Sequence, residues 1–586
     1  MRICVIGAGS AGLTTAKHLV EEGFEVKILD KRDSLGGVWY FGENISSVSA
    51  NTHATSSKVF LQFSDFPMGK EVAHFPHHRT YVDYLKRYAQ ANNLLDLIEY
   101  NREVIRLRKN AQQWELTIKH GEHTYREIAD SVAVCSGLNQ KPLMLDELPG
   151  SQIFQGSIIH SSLLKSTDLL EGKRVVIVGG GESAADLAHD LVGTASKVYL
   201  SLRKGMVVLP RWGLGDIPED YGSTRAKVWL PLEFLHDLNR CRDLNSRFKT
   251  LFTLLSLPLV FLMLFFAPKS AIGIFQSLLD PKMWQALFKS HPRHGEADGI
   301  ELSRACQQIC HTKPESEAEV SKRFWQLRHT LEWYSGRMHN IQPFIKSSDF
   351  LKDIARQDIT VVPEIARYHQ NREIKFEDNS QVEADVVVLC TGFKSLLPFL
   401  EHSELNAHQL YKNTFIPGKS TLAFIGFVRP NIGATPPLSE MQGRWFSRLL
   451  SGGWQLPEKE IMENAIAQNI QTYNYNYPLH AKRLTSLVNY HLYLYEIAGY
   501  IGCRPNLWQL LSKPKMFMAI LFGPFASFQY RIHGYGKDPQ AVEKAISELE
   551  PLPFERVVWH ASLYFLLKPL FVLLGSLGFK RFRPTF

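Results

Sequence analysis

Two short glycine turns, at residues 7 and 179, constrain this 586-residue chain more than any other feature. The first reads Val5-Ile6-Gly7-Ala8-Gly9-Ser10-Ala11-Gly12 and joins an apolar strand to a helix over 13–22. A second strand, 25–29, ends at Asp30, 21 residues after Gly9. Each glycine answers a separate demand: Gly7 makes the tight turn, Gly9 lets backbone approach a pyrophosphate, and Gly12 lets helix and strand pack closely. The helix N-terminus then offers unpaired N–H groups and a positive dipole end to the phosphates. Asp30 stands where a carboxylate binds ribose hydroxyls. The second turn, Arg174-Val-Val-Ile-Val-Gly179-Gly180-Gly181-Glu182-Ser183-Ala184, repeats the strand–turn–helix order, with Ala184 replacing the third glycine. Its following strand, 197–202, ends at Arg203-Lys204 instead of an acid. A carboxylate there would repel a 2′-phosphate, whereas arginine bonds it with charge assistance. The first site therefore suits a free ribose hydroxyl, and the second suits NADPH.

Composition narrows the setting. The length corresponds to about three to five domains. Apolar residues are 45% and charged residues 21%, near the globular average, which excludes a wholly disordered, collagenous or many-span chain. Seven scattered cysteines exclude a disulfide-stapled scaffold. Cys306, Cys310 and His311 suit one helix face but lack a second ligand pair, so no metal is expected. The opening apolar run spans only five residues before the glycine turn, unlike a signal peptide, and predicts a body kept in the cytosol. The net charge of +8 shows no nucleic-acid logic. No repeat or low-complexity tract is visible. Two dinucleotide sites without a redox Cys-x-x-Cys point to a flavoprotein reduced by NADPH, passing electrons to oxygen or another external acceptor.

Further motifs stand in order along the chain: Gly36-Gly37-Val38-Trp39, Phe63-Ser64-Asp65-Phe66-Pro67, Val134-Cys135-Ser136-Gly137 and Phe154-Gln-Gly156-Ser-Ile-Ile-His160. Val388-Leu-Cys390-Thr391-Gly392-Phe393, Ile425-Gly-Phe-Val428, Gln442-Gly-Arg444-Trp445 and Phe522-Gly-Pro524 follow. With these the chain resembles the flavin-containing monooxygenases, above all their longer microsomal-type members. The resemblance implies an α/β fold of two Rossmann-like domains of the glutathione-reductase type, the NADPH domain inserted in the FAD domain. It implies FAD and NADPH as cofactors. FAD contacts fall to Gly7, Gly9, Gly12, Asp30, Gly37, Trp39, Thr391 and Gly392, and NADPH contacts to Gly179, Gly181, Ser183, Arg203 and Lys204. The implied reaction uses O2 to form a flavin C4a-hydroperoxide, which oxygenates a soft nitrogen or sulfur nucleophile. The isoalloxazine carries that chemistry, and the protein binds, orients and excludes water.

Two departures bear on catalysis. The family's N-[ST]-S-K segment appears as Thr55-Ser56-Ser57-Lys58, so a hydroxyl replaces an amide that supports the oxygenated flavin and nicotinamide. A hydroxyl offers one donor where the amide offers two and a carbonyl. Thr55 and, if the loop is rearranged, Asn51 are the catalytic candidates. The motif ending in Leu164 lacks the aromatic of Baeyer–Villiger relatives. Ketone oxygenation and uncoupled NADPH oxidation releasing H2O2 stand as alternatives, and His160 reads as a domain-linking group.

Two apolar stretches depart from the average. Residues 250–267 hold eighteen residues without a charge, interrupted by Pro258, and residues 557–579 are broken by Lys568-Pro569. The first sits at the lower threshold for a span and suits a bilayer-dipping hairpin or interfacial helix, with a buried core helix or a true span as alternatives. The second is too short in each half to cross and suits an in-plane anchor, with Lys568 snorkelling and Lys580, Arg581 and Arg583 meeting lipid headgroups. The expected domains are 1–165 and 351–550 for FAD, 166–350 for NADPH with a hydrophobic insertion at about 220–300, and 551–586 as a membrane-associating tail. The expected partners are a small nucleophile, O2 and a membrane surface, with a homo-oligomer left open. The expected location is the cytosolic face of a membrane: the endoplasmic reticulum in a eukaryote, the inner membrane or cytoplasm in a bacterium.

Overall fold

The computed structural model describes residues 1–42, 48–145, 148–213, 216–229, 299–335, 345–400, 407–476 and 486–551, with separate helical turns between 557 and 576. Two five-stranded parallel sheets organise these residues. The first runs, edge to edge, Leu422–Phe424, Ser131–Val134, Arg2–Ile6, Glu25–Leu29 and Ile98–Glu99. The second runs Ile359–Val362, Lys197–Ser201, Arg174–Val178, Val386–Leu389 and Ser157–His160. In each, the strand feeding the glycine turn is central. Ser131–Val134 and Val386–Leu389 are buried at every position, as parallel strands covered on both faces must be.

The same plan is built twice. In each sheet the strand that follows the turn's helix flanks the central strand on one side, a later strand flanks it on the other, and a three-stranded antiparallel sheet precedes that later strand. In the first unit that small sheet is Glu103–Asn110, Gln113–His120 and His123–Ala129; in the second it is Ile365–Tyr368, Glu373–Phe376 and Gln381–Glu383. The sequence shows no repeat because packing demands only apolar strands and turn glycines, not matching residues.

The second unit is nested inside the first. Its sheet spans 157–389, so the boundaries expected at 165 and 351 fall within it, and the chain rejoins the first sheet at Leu422–Phe424. The outgoing and returning connectors run together: Lys141–Pro142 pairs antiparallel with Phe393–Lys394, and the Leu143 N–H donates to the Gly392 carbonyl at 2.9 Å.

The C-terminal third closes over the first unit. Helix Thr435–Leu450 opens with prolines in its first turn, where no N–H is lost from the ladder. It crosses helix Ser10–Glu21 at Gly443, where a Cβ would lie 2.9 Å from Thr15 Oγ1. Among the described residues no helix is long and apolar enough to cross a membrane. The stretch 250–267 and most of 551–586, on which the expected insertion and tail fall, lie outside the described residues.

Candidate dinucleotide sites and their junction

At the first turn the glycines are sterically required. Gly7 has φ +113, and a Cβ on it would meet the Cys135 carbonyl oxygen at 2.7 Å. A Cβ on Gly12 would lie 1.8 Å from the Gly7 carbonyl oxygen. Gly9 and Gly37 face one another, a Cβ on Gly9 falling 3.3 Å from the Gly37 Cα. Asp30 is buried; its Oδ2 accepts the Ala8 N–H at 2.6 Å and its Oδ1 the Arg32 N–H at 2.9 Å. Each oxygen keeps a lone pair for a ribose hydroxyl. Trp39 packs on the buried Tyr81 ring at 4.8 Å. Gly7, Gly9, Gly12, Asp30, Gly37 and Trp39 thus gather around one cradle, and the bare backbone and carboxylate fit a dinucleotide.

The second turn repeats the geometry. Gly179 has φ +139, and a Cβ on it would meet the Cys390 carbonyl oxygen at 2.5 Å. Cys135 and Cys390 therefore occupy equivalent places, each following its unit's flanking strand. Gly181 opens onto free space, with nothing within 4 Å of an added Cβ, and helix Glu182–Asp190 starts there with Ser183 exposed in its first turn. Arg203 is exposed and Lys204 half-buried just beyond strand Lys197–Ser201. An open glycine face, a helix N-terminus and two cations fit a phosphorylated dinucleotide.

Thr391 and Gly392 lie on the connector that returns from the second unit and pairs with the one leading out of the first. They follow Cys390 beside the second turn, where Thr391 Oγ1 donates to the Leu143 carbonyl. His160 binds the same connector: its Nε2–H donates to the Gly392 carbonyl at 3.0 Å, while Nδ1 accepts the Ser162 N–H at 3.2 Å. Burial pushes this imidazole below its ordinary value, which agrees with a neutral ring tying strand to connector.

The Thr55 segment lies between the units. Thr55 is half-buried, and Asn51, four residues upstream, is exposed with its carbonyl accepting from the His53 ring at 2.9 Å. Lys58 is committed elsewhere: its ammonium donates to the carbonyls of Gly69, Lys70 and Val72 at 2.7, 3.2 and 2.6 Å and shapes that loop. The Phe63–Pro67 motif serves as a lock. Arg531 donates to Ser64 Oγ (2.6 Å), Asp65 Oδ2 (2.6 Å) and Glu440 Oε1 (2.9 Å), and its NH2 faces His18 Nε2 at 3.4 Å. His18, Asp65 and Glu440 stand close enough to ligate a cation, and the guanidinium takes that place.

The motifs do not reveal a second group at this junction. Lys346, Glu182, Asp220 and Ser57 meet there; Glu182 and Ser57 lie within motifs, whereas Lys346 and Asp220 do not. The Ser57 N–H donates to Asp220 Oδ2 at 2.8 Å, and the Lys346 N–H to Glu182 Oε1 at 2.9 Å.

The family model described as flavin-binding monooxygenase-like matches residues 1–254 and 308–551. The chain belongs to that family. As a flavin-binding monooxygenase it is an oxidoreductase that uses FAD and NADPH. A 4-hydroxybenzoate brominase (decarboxylating) of Pseudoalteromonas luteoviolacea (strain 2ta16) is 31% identical over 91% of this chain and 90% of its own. Flavin-containing monooxygenase 5 of Rattus norvegicus is 28% identical over 92% and 89%. Among solved structures, S-allyl-L-cysteine S-oxygenase from Allium sativum matches with a TM-score of 0.56 at 19% identity, covering 87% of this chain and 91% of its own. That likeness supports the fold.

Proposed function

We propose that the first cradle holds FAD, that the second holds NADPH, and that the enzyme oxygenates soft nitrogen or sulfur nucleophiles with O2. The observation that carries this is the contrast between two otherwise equivalent units: Asp30 is buried against the first turn, while exposed Arg203 stands at the corresponding place in the second. The flavin, when bound, supplies the oxygen-activating chemistry. The chain's own residues hold the two dinucleotides, keep water from the junction and present Thr55 there. The test is spectroscopic and then chemical. Purified protein should be yellow, with absorbance near ~450 nm. NADPH consumption should rise with amines or thioethers over ketones, with H2O2 measured in parallel. A colourless protein that leaves NADPH unconsumed would contradict the assignment.

A second reading rests on the relatives named as brominases, which are slightly more identical to this chain than the flavin-containing monooxygenases are. A halide is also a soft nucleophile. Under this reading bromide, rather than an amine or thioether, accelerates NADPH consumption and a hydroxybenzoate gains bromine, which mass spectrometry detects.

We also propose in-plane attachment to the cytosolic face of a membrane. Trp508 is 83% exposed, and Leu511, Met518, Phe565, Val572 and Leu573 are exposed near it in sequence or in neighbouring helices. Lys513 and Lys515 flank this apolar surface, a pattern suited to anionic headgroups.

A further inference from the structure

Lys346, in the loop before helix Asp349–Arg356, belongs to none of the motifs, yet it is bonded to three distant segments. Its N–H donates to Glu182 Oε1 at 2.9 Å, and Glu182 is the first residue of the helix that follows the second glycine turn. Its ammonium donates to Ser56 Oγ and to the Gly433 carbonyl, the latter at 2.9 Å. Ser56 follows Thr55, and Gly433 precedes the helix packed on the first turn's own helix. The Ser56 hydroxyl donates to the same Gly433 carbonyl at 2.6 Å, so ammonium, hydroxyl and carbonyl close a triangle. One residue therefore links the second nucleotide turn, through its backbone N–H, to two segments of the first unit, through its ammonium.

The surroundings show that this contact is built rather than incidental. The residue retains some surface, but its ammonium is enclosed. Asp220 is buried beside it and accepts the Ser57 N–H. The other oxygen of Asp220, the second oxygen of Glu182 and the Ser57 hydroxyl are buried without hydrogen-bond partners among the described residues. Enclosed polar atoms left this way are costly and uncommon. Burial opposes the charged form of Glu182, and the Lys346 N–H and ammonium act against that effect.

We propose that Lys346 is a positioning residue that fixes the second glycine turn against the Thr55–Ser57 segment, and so sets how the nicotinamide end of NADPH meets the flavin. This rests on the NADPH-to-FAD reading above. A clamp of this kind acts through alignment, and a displacement of about 1 Å at a reacting centre can cost ~100-fold in rate.

The test is anaerobic rapid mixing of the FAD-loaded enzyme with NADPH, following the loss of flavin absorbance, beside reduction by dithionite. Lys346→Met should retain FAD and its dithionite reduction while NADPH-driven reduction slows ~10-fold or more. Lys346→Arg should recover most of that rate. Ser56→Ala removes two hydrogen bonds, the one accepted from Lys346 and the one donated to Gly433, while the Lys346 ammonium keeps the Gly433 carbonyl, and should slow the same step about 5-fold. FAD-loaded Lys346→Met reduced by NADPH at the wild-type rate overturns the proposal, even if its melting temperature falls. If Lys346→Met does not fold, Ser56→Ala decides: an unchanged rate overturns the proposal and a slowed rate supports it. A wild-type enzyme that NADPH does not reduce would instead sink the functional reading itself.

Discussion

At residue scale, Thr55, proposed as the catalytic candidate, is where the sequence departs from the family's segment. Its single hydroxyl donor replaces an amide, so a large share of NADPH oxidation should end in H2O2. Thr55→Asn should lower the ratio of H2O2 formed to NADPH consumed at least ~2-fold, read by peroxidase-coupled assay beside NADPH absorbance. An unchanged ratio would remove Thr55 from the catalytic set. Arg203 is the matching test at the second site. Arg203→Ala should raise the half-saturating NADPH concentration about 10-fold while leaving NADH unaffected, because only NADPH carries the 2′-phosphate. The buried lock around Arg531 sets an acid limit. Burial lowers the His18 imidazole from 6.5 to about 4, and Arg531 contributes in the same direction. The folded chain then binds fewer protons than the unfolded chain between those values, so stability falls as pH drops from 6.5 to 4, by up to roughly 3 kcal/mol. Asp65 acts lower. Burial alone would raise its carboxyl, but Arg531 and Lys17 hold it well below the ordinary range, so its contribution is present above about pH 4 and lost beneath it. Urea midpoints measured from pH 7 to 4.5 should decline, and His18→Gln should remove part of the slope. A flat profile would contradict neutral burial.

At the scale of elements, the close crossing of helices Ser10–Glu21 and Thr435–Leu450 depends on Gly443. Gly443→Val should destabilise the protein by about 1–3 kcal/mol and loosen FAD, seen as a lowered melting temperature with flavin release. Full FAD retention at an unchanged melting temperature would deny that crossing a role. Elements differ in how far the sequence exposes them. Each glycine turn is local, so Gly7, Gly12 and Gly179 announce their demands within a few residues, and Asp30 lies close enough to be paired with its turn by counting. The lock and the clamp are not local. Asp65 meets Arg531 across 466 positions and Glu182 meets Lys346 across 164. Nothing in residue type or spacing marks such a pair before the chain folds. The Thr391-Gly392 element shows a different limit. Resemblance assigns it to FAD, and what spacing does not show is that its backbone runs on from the second turn, where Cys390 closes against Gly179 as Cys135 closes against Gly7.

At the scale of the whole molecule, the exposed apolar surface around Trp508 and the 557–586 segment should govern partitioning. Deleting 557–586 should shift the protein from the membrane to the supernatant fraction without detergent; equal solubility of both forms would argue against the tail as an anchor. The nesting of one unit inside the other has a different consequence, for biogenesis. The second sheet is drawn from a continuous stretch, 157–389, and can close while synthesis continues. The first sheet must wait for Leu422–Phe424, and its turn helix must wait for Gly443 and finally for Arg531. Long-range pairing of this kind is slow and keeps apolar surface uncovered meanwhile. The nucleotide cradle encoded first is thus the one completed last, and a ribosome stalled in the last tenth of the message leaves behind a chain whose second cradle is closed while its first still lacks its cover.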